Sequence, residues 1–231
     1  EPLVSSLVSI QDDVRSAFGW PLEADMESAE ALAAAIIGLE AASGAVARLK
    51  ELLTGRSVAV LGAAVEVDQV LALPNDYLLV AADGSVGVIP ELPDEARELA
   101  WERLILIVSD GDGGEPLEEA IARGIPFSLH AHGDNQDEWK NLLSRLERCP
   151  LLLLTHQCPT PIEGMHNPGG FTDGDRAACL LAALGVPDVV LCGFRSDKIG
   201  RWTGGTDPER KMRKLKWMDE VLRRLAAEGD R

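Results

Sequence analysis

Aspartate and glycine residues follow several short apolar runs of this sequence, at the points where the runs end. Asp83 follows "YLLVAA", Asp110 and Asp112 follow "LILIVS", and Asp134 follows "FSLHAHG". Carboxylate oxygens are the ligands that Mg²⁺ prefers, and the neighbouring glycines let the backbone approach a phosphate closely. The pattern therefore predicts a site for a divalent cation and a phosphate-bearing ligand.

Two histidines, His130 and His132, stand two residues apart in the run before Asp134. In a β-strand this spacing puts both imidazoles on one face, which allows a zinc site and, as an alternative function, a zinc hydrolase. Three further residues are able to complete such a site: His156, Cys158 and His166. The surrounding aspartates and glycines suit a hard cation better than zinc, which favours a packed or supporting role for His130.

The stretch "NPGGFTDGDRAACLLAALG" (167–185) combines two glycines, an aromatic residue and the start of a predicted helix. We expect Asp173 to cap this helix, with Asp175 in its first turn. A helix N-terminus attracts anions, but these two carboxylates compete with an anion for it. The stretch therefore indicates contact with the hydrogen-bond donors of a heterocycle, with a plain capping loop as the alternative.

The balance of charge is strongly acidic, with a formal net charge of −16. Such a field repels phosphate backbones, so we expect no binding to nucleic acid or to an anionic membrane. One segment opposes this trend and is called the basic cluster below: Arg195, Lys198, Arg201, Arg210, Lys211, Arg213, Lys214 and Lys216. The cluster predicts either a binding site for an anionic substrate or a helix face that is exposed to solvent.

The elements that must position these residues are predicted from residue 57 onward. Six apolar runs, "SVAVLGA", "DYLLVAA", "LILIVSD", "IPFSLHA", "LLLLTH" and "VPDVVLCGF", read as strands buried on both faces. Helices are predicted at 93–100, 115–123, 135–147 and 173–184, and a long C-terminal helix at 208–227. The fold class is thus α/β, with a mostly parallel Rossmann-like sheet of about six strands and its ligand crevice at the strands' carboxyl ends.

The region before the first strand shows helical periodicity and no strand signal. We therefore predict an N-terminal helical segment over residues 1–55 and an α/β catalytic domain over residues 56–231.

The four cysteines lie in or beside apolar segments without CxxC spacing, which predicts reduced, packed thiols. No run approaches the length of a membrane span and no signal peptide is evident, so a cytoplasmic location is expected.

Several motifs together resemble the archaeal 6-hydroxymethyl-7,8-dihydropterin pyrophosphokinase family, which is related to thiamine pyrophosphokinase. They are "AADGS", "VSDGDGG", "HAHGDN", "THQ", "GGFTDGDRA" and "KMRKLKWMDEVL", and the similarity covers residues 57 to 227. The resemblance implies transfer of diphosphate from ATP to the hydroxymethyl group of the pterin, with Mg²⁺ as cofactor and AMP as the second product. The pathway implied is biosynthesis of a methanopterin- or folate-type cofactor.

The resemblance also implies roles for individual residues. Metal ligands would be Asp83, Asp110 and Asp112, and the catalytic groups would be Asp110, Asp112, His132 and Asp134. Contacts to the pterin alcohol or ATP would come from Asp83, Asn135, Gln157, Phe171, Thr172, Asp173, Asp175, Lys198, Lys211 and Lys214. Another diphosphotransferase of the thiamine pyrophosphokinase type and a non-catalytic nucleotide-binding domain stay open as alternatives, and so does assembly as a homo-oligomer.

Overall fold

A parallel six-stranded sheet forms the centre of the protein. The computed structural model describes residue 3 and residues 6–146 and 149–229. The strands are β1 (Ser57–Leu61), β2 (Leu78–Ala82), β3 (Leu104–Ser109), β4 (Phe127–Ala131), β5 (Leu152–His156) and β6 (Asp188–Cys192). Every neighbouring pair of these strands is parallel. The predicted α/β class and Rossmann-like sheet are therefore confirmed.

Helices precede the first strand and connect the strands. Within the described residues they are α1 (Ser9–Phe18), α2 (Leu22–Ala35), α3 (Ala45–Leu53), α4 (Val67–Leu71), α5 (Asp94–Arg103), α6 (Leu117–Ala122), α7 (Gln136–Arg145), α8 (Asp173–Ala183) and α9 (Pro208–Gly229). The four predicted connecting helices and the long C-terminal helix are confirmed to within a few residues at their ends, although position 147 of the predicted helix 135–147 lies outside the described residues. The short α4 and a buried 3-10 helix over Asp83–Glu91 were not predicted.

The order of strands across the sheet is β5-β4-β3-β2-β1-β6. The first five strands follow one another across the sheet in chain order, and β6 then pairs with the other edge of β1. The order therefore reverses between β1 and β6. In parallel α/β sheets a ligand crevice lies outside the carboxyl ends of the strands at such a reversal.

Both faces of the sheet are covered over β1 to β5, which explains their unbroken apolar runs. The prediction of burial on both faces is wrong for β6, an edge strand of which only Cys192 is buried. Ala59 and Leu61 of β1 belong to the core on one face, and Val58 and Val60 belong to the core on the other. The second core includes Leu180 and other apolar residues of α8, which crosses the sheet. Burial on both sides removes the alternation of polar and apolar residues that a half-exposed strand shows.

The N-terminal helices pack against the rest of the protein. Ile10 and Val14 of α1 share a core with Phe171 and with Val221 of α9, while α2 contacts β4 and β5. The helical content of this segment agrees with the sequence; the domain boundary at residue 55 stays a prediction.

The four cysteines are free and buried, as expected. In the part of the chain that the structure describes, no helix combines the length and apolarity needed to cross a membrane.

Candidate active site

A cleft runs along the carboxyl ends of the strands, where the sequence predicted the crevice. Loops after each strand contribute to its lining, through Gly62, Ala63, Asp83, Asp110, Asp112, His132, Gln157, Gly193, Phe194 and Arg195. The start of α8 adds Thr172 and Asp173 to one wall, and α9 adds Lys211 and Lys214 to another. The topology thus brings residues from six strand ends and two helices to one place.

Three carboxylates converge in the middle of the cleft. One oxygen from each of Asp83, Asp110 and Asp112 lies within 4.8 Å of the others. Asp83 has a left-handed backbone with φ of 51°, and the hydroxyl of Ser109 donates a hydrogen bond of 2.5 Å to Asp83 Oδ1. Gly113 lies so close that a Cβ atom there would be 2.6 Å from the same oxygen. Among the described residues this is the one group of three metal-ligating side chains close enough to hold a single ion.

Crowding and burial make these carboxylates unequal. Burial, with the charges of Asp173 and Asp110, raises the pKa of Asp83 well above its usual value. Burial and the neighbouring Asp110 also raise the pKa of Asp112. The same two causes raise the pKa of Asp173 to about 7. A cation among them would relieve this repulsion and favour the ionised forms.

Asp110 differs because a histidine stabilises its charge. Burial alone would raise its pKa, but the hydrogen bond and positive charge of His132, with the charge of Arg176, lower the pKa below its usual value. His132 Nε2 lies 3.2 Å from Asp110 Oδ2, and His132 Nδ1 lies 2.9 Å from Asp134 Oδ1. Asp110 is therefore the member of the group whose charge is stabilised by the protein itself.

His132 carries a positive charge at neutral pH. Burial would lower its pKa, but the hydrogen bonds to Asp110 and Asp134 outweigh burial and raise the pKa to about 9. Asp134 is largely exposed, outside the cleft lining, and also pairs with Arg210 of α9 at 3.1 Å. Asp134 thus links His132 to the helix above the cleft.

The alternative zinc site has no support in this geometry. Both ring nitrogens of His132 lie against carboxylates, those of Asp110 and Asp134, and the one metal-ligating group found among the described residues contains no histidine. His130 is buried, with Nδ1 3.0 Å from Thr155 Oγ1. His156 accepts a hydrogen bond from the backbone of Cys158, and His166 accepts one from the backbone of Leu3. These histidines support the backbone around the sheet.

Asn135 lies behind the cleft and shapes the loop after β4. Its amide nitrogen donates to the carbonyl oxygens of Asp110 and His130, both at 2.8 Å. Its side-chain oxygen accepts the backbone N–H of His132 at 2.8 Å. Asn135 therefore joins the loops after β3 and β4, and the cleft lining does not include it.

The start of α8 differs from the sequence expectation by one residue. Thr172, not Asp173, is the N-cap, and Asp175 completes a capping box with it. The buried carboxylate of Asp175 accepts the backbone N–H groups of Phe171 at 2.7 Å and Thr172 at 2.8 Å. Asp175 thus holds the loop from behind, while Phe171, Thr172 and Asp173 line the cleft. The spacing of Thr172 and Asp175 is a capping-box signal that the sequence already contained.

The basic cluster divides into two groups. Arg195, Lys198, Lys211 and Lys214 line the cleft. Burial, then the charges of Arg210 and Lys211, lower the pKa of Lys214. Other members have contacts elsewhere: Arg201 pairs with Glu91, Arg210 with Asp134, and Arg213 donates to the carbonyl of Ala17. Asp207 caps α9 by accepting the N–H of Arg210, which fixes the first turn of the helix that carries the two lysines.

Sequence patterns missed four residues at the site. Trp20 and Trp202 line the cleft, and Asp25 and Arg15 brace it. Asp25 accepts the N–H of Gly133 at 2.8 Å and the amide of Gln157 at 2.9 Å, while Arg15 donates to the carbonyl of Gln157 at 2.8 Å. Three of the four belong to the N-terminal helical segment, whose periodicity gives no sign of chemistry.

The fold and the cleft define a Rossmann-like α/β protein with clustered carboxylates and lysines at its strand ends. Three archaeal relatives carry the name 6-hydroxymethyl-7,8-dihydropterin pyrophosphokinase. The protein of Pyrococcus furiosus is 35% identical over 187 residues, covering 75% of this chain and 74% of the relative. That of Methanothermobacter thermautotrophicus is 32% identical, covering 69% and 67%, and that of Methanocaldococcus jannaschii is 30% identical, covering 77% and 73%.

The chain therefore belongs to the 6-hydroxymethyl-7,8-dihydropterin pyrophosphokinase family. Membership makes it an enzyme of the diphosphotransferase class. The sequence matches no protein-family model. The family resemblance found in its motifs is confirmed by these relatives.

Proposed function

We propose that this protein transfers a diphosphate group from ATP to the hydroxymethyl group of 6-hydroxymethyl-7,8-dihydropterin, depends on Mg²⁺, and releases AMP. The observation that carries the proposal is the group of Asp83, Asp110 and Asp112 in a cleft shared with Lys211 and Lys214. The names of the relatives supply the pterin acceptor. The product would serve the biosynthesis of a tetrahydromethanopterin- or folate-type cofactor.

The donor atoms fit magnesium. The three side chains offer hard carboxylate oxygens within 4.8 Å of one another, which suits an ion that takes few protein ligands and keeps several waters. Asp83, Asp110 and Asp112 would hold the ion. Bound Mg²⁺ would neutralise charge on the triphosphate and orient it. Asp110, ionised through His132, provides the first negative charge for the ion.

The lysines supply the positive charge that the protein as a whole lacks. With a net charge of −16, the chain repels a nucleotide unless cations stand at the binding site itself. Lys198, Lys211 and Lys214 line the same cleft as the carboxylates. They are suited to bind the phosphate oxygens of the nucleotide.

The reaction needs positioning and charge neutralisation more than a protein nucleophile. The hydroxyl oxygen of the pterin attacks the β-phosphorus of ATP, and the bond from that phosphorus to the oxygen bridging the α-phosphate breaks. AMP leaves with the bridging oxygen, and the β- and γ-phosphates stay together on the pterin. The hydroxyl proton passes to a carboxylate of the cleft.

Incubation of the protein with ATP, Mg²⁺ and 6-hydroxymethyl-7,8-dihydropterin tests the proposal. We expect AMP and pterin diphosphate in equal amounts, and no AMP when the pterin is omitted or the metal is chelated. Thiamine offered in place of the pterin separates this activity from that of a thiamine pyrophosphokinase. Formation of ADP, or of AMP without pterin, would contradict the proposal.

A further inference from the structure

The six strand ends that line the cleft lie in a row, and the carboxylate group is nearer to one end of this row than to the other. Asp110 and Asp112 follow β3, with β4 and β5 on one side and β2, β1 and β6 on the other. Neighbouring strands lie about 4.8 Å apart, so the row extends roughly 10 Å from β3 to β5 and roughly 14 Å from β3 to β6. We call these the short arm and the long arm.

The short arm ends in aromatic side chains and a lysine. The rings of Trp20 and Phe171 have centroids 6.0 Å apart and an interplanar angle of 38°. Phe18 stacks behind Trp20 at 4.5 Å and fixes the indole. The ammonium of Lys214 lies 5.5 Å from the Trp20 ring and 5.8 Å from the Phe171 ring. The guanidinium of Arg210 also lies over the Trp20 ring, at 5.2 Å. Flat apolar faces with cations beside them suit a flat heterocycle that carries a carbonyl oxygen.

Gln157 adds a hydrogen-bonding group whose orientation is fixed. Its amide nitrogen donates to Asp25 Oδ2 at 2.9 Å, and Arg15 binds both Asp25 and the carbonyl of the Gln157 backbone. An ionised carboxylate only accepts, so the side-chain NH₂ group must face Asp25 and the side-chain carbonyl oxygen must face away. That oxygen has two lone pairs, of which a hydrogen bond from His130 uses one, and Gln157 lines the cleft.

The long arm also has aromatic rings, but these lie against glycines: Phe194 against Gly62 and Gly174, and Trp202 against Gly87. Its walls include Gly62, Gly193 and Gly200, where backbone segments lie against each other, together with Lys198 and Arg195. In ATP, a ribose and the α-phosphate separate the base from the β-phosphorus. In the pterin alcohol, a single carbon separates the ring from the reacting oxygen. The heterocycle that must lie nearer the carboxylates is therefore the pterin.

We infer that the short arm is the pterin site, with Trp20 as the residue that stacks on the pterin ring and Gln157 as the acceptor for N–H groups of its pyrimidine edge. Asp25 is a positioning residue that acts through Gln157. The nucleoside of ATP occupies the long arm. This inference rests on the proposed function and assigns to the N-terminal helical segment a part in choosing the acceptor.

Substitution of Trp20 tests the assignment of the arms. Trp20→Leu should raise the KM for the pterin about tenfold or more, because stacking of a base on an aromatic ring commonly contributes that much to affinity. Its KM for ATP should stay within about twofold of the wild type, and Trp20→Phe should recover most of the pterin affinity. Trp217→Leu is the matched control, since Trp217 packs in the same aromatic core outside the cleft.

Binding of oxidised 6-hydroxymethylpterin without ATP, followed by the fluorescence of the pterin, gives a second readout that does not need turnover. Wild-type formation of AMP reports on the proposed function whatever the variants do. If the wild type is active but Trp20→Leu leaves pterin binding and KM unchanged, the inference is overturned and the function stands. A rise in the KM for ATP alone would show that the arms are reversed, which also overturns it.

A double-mutant cycle tests Asp25. Gln157→Leu and Asp25→Ala should each raise the KM for the pterin, and Asp25→Ala should add little in a chain that already carries Gln157→Leu. Independent, additive effects would reject the positioning role, since a residue that only supports the fold does not depend on Gln157. Thermal midpoints of all four proteins separate loss of folding from loss of affinity.

Discussion

The imidazole of His132 lies with Nε2 3.2 Å from the carboxylate of Asp110, the acid of the cleft whose pKa is lowered rather than raised. A side-chain cation thus stabilises one of the carboxylates that we propose bind the metal. One oxygen of Asp110 also lies within 4.8 Å of oxygens of Asp83 and Asp112. Asp110 is therefore prepared as an anion before any metal binds.

The pKa of His132 predicts how stability depends on pH. In the folded chain it is raised to about 9 from its ordinary value of 6.5, so the protonated histidine stabilises the fold fully below about pH 6.5. This contribution is lost as the pH rises through about 9. In the presence of chelator, the unfolding free energy of the wild type should exceed that of His132→Asn at about pH 6. This difference should disappear by about pH 10. Urea unfolding of both proteins measures it, and a difference independent of pH would contradict the ion pairing.

Asp110→Asn should abolish diphosphate transfer. The substitution removes one charge from the metal ligands while keeping size and shape, so we expect at least about a 100-fold loss of kcat and weaker binding of Mn²⁺ used as a probe for Mg²⁺. The substitution also removes one ion-pair partner of His132, so the thermal midpoint should fall while the protein stays folded at the assay temperature. Steady-state assays and metal titration measure the two effects.

The matched control for this variant is Asp137→Asn, which removes an exposed carboxylate in the first turn of α7. It changes the net charge equally and lies outside the cleft lining. Normal turnover by Asp110→Asn would reject the metal assignment. Equal losses in both variants would point to a general charge effect.

Lys211→Ala should weaken ATP binding. Lys211 lines the cleft on α9, and loss of its ammonium removes a charge-assisted contact to phosphate, so we expect the KM for ATP to rise about tenfold. Lys216→Ala, on the exposed side of the same helix, should leave this KM unchanged. Initial rates at varied ATP measure both. An unchanged KM for ATP in Lys211→Ala would mean that Lys211 does not bind the nucleotide and belongs to a solvated helix face.

Asp175→Ala should destabilise the protein. The substitution leaves the buried N–H groups of Phe171 and Thr172 without their acceptor, at a cost of about 2 to 4 kcal/mol in unfolding free energy. Asp175→Asn keeps one acceptor oxygen and should cost less. Chemical unfolding measures the difference, with the exposed Asp219→Ala as control. A stable Asp175→Ala variant with lost activity would instead indicate that Asp175 contacts a ligand.

Much of this architecture could be predicted because each strand carries its own signal. The run that forms β3 is apolar from Leu104 to Val108 because both faces are covered, and Asp110 follows the end of the strand that this run predicts. Parallel strands bring such ends to one edge, so the carboxylate group followed from local patterns and topology.

The contributions of the N-terminal segment could not be predicted in the same way. Asp25 binds Gly133 and Gln157, more than one hundred positions away in sequence, and helical periodicity does not specify which surface a helix meets. Trp20 likewise lines the cleft only because α9 and the loop before α8 pack around it. Such contacts depend on tertiary packing, which leaves no short-range pattern.

The position of β6 has a consequence for how the protein is synthesised. Since β6 pairs with β1 and not with β5, β1 keeps one unpaired backbone edge until the ribosome has added the last strand. An apolar strand with a free edge invites pairing with other chains, so nascent protein is most exposed to aggregation during this interval. Completion of β6 closes that edge and brings the loops at Gly62 and Gly193 together, so this end of the cleft forms only after the last strand has been synthesised.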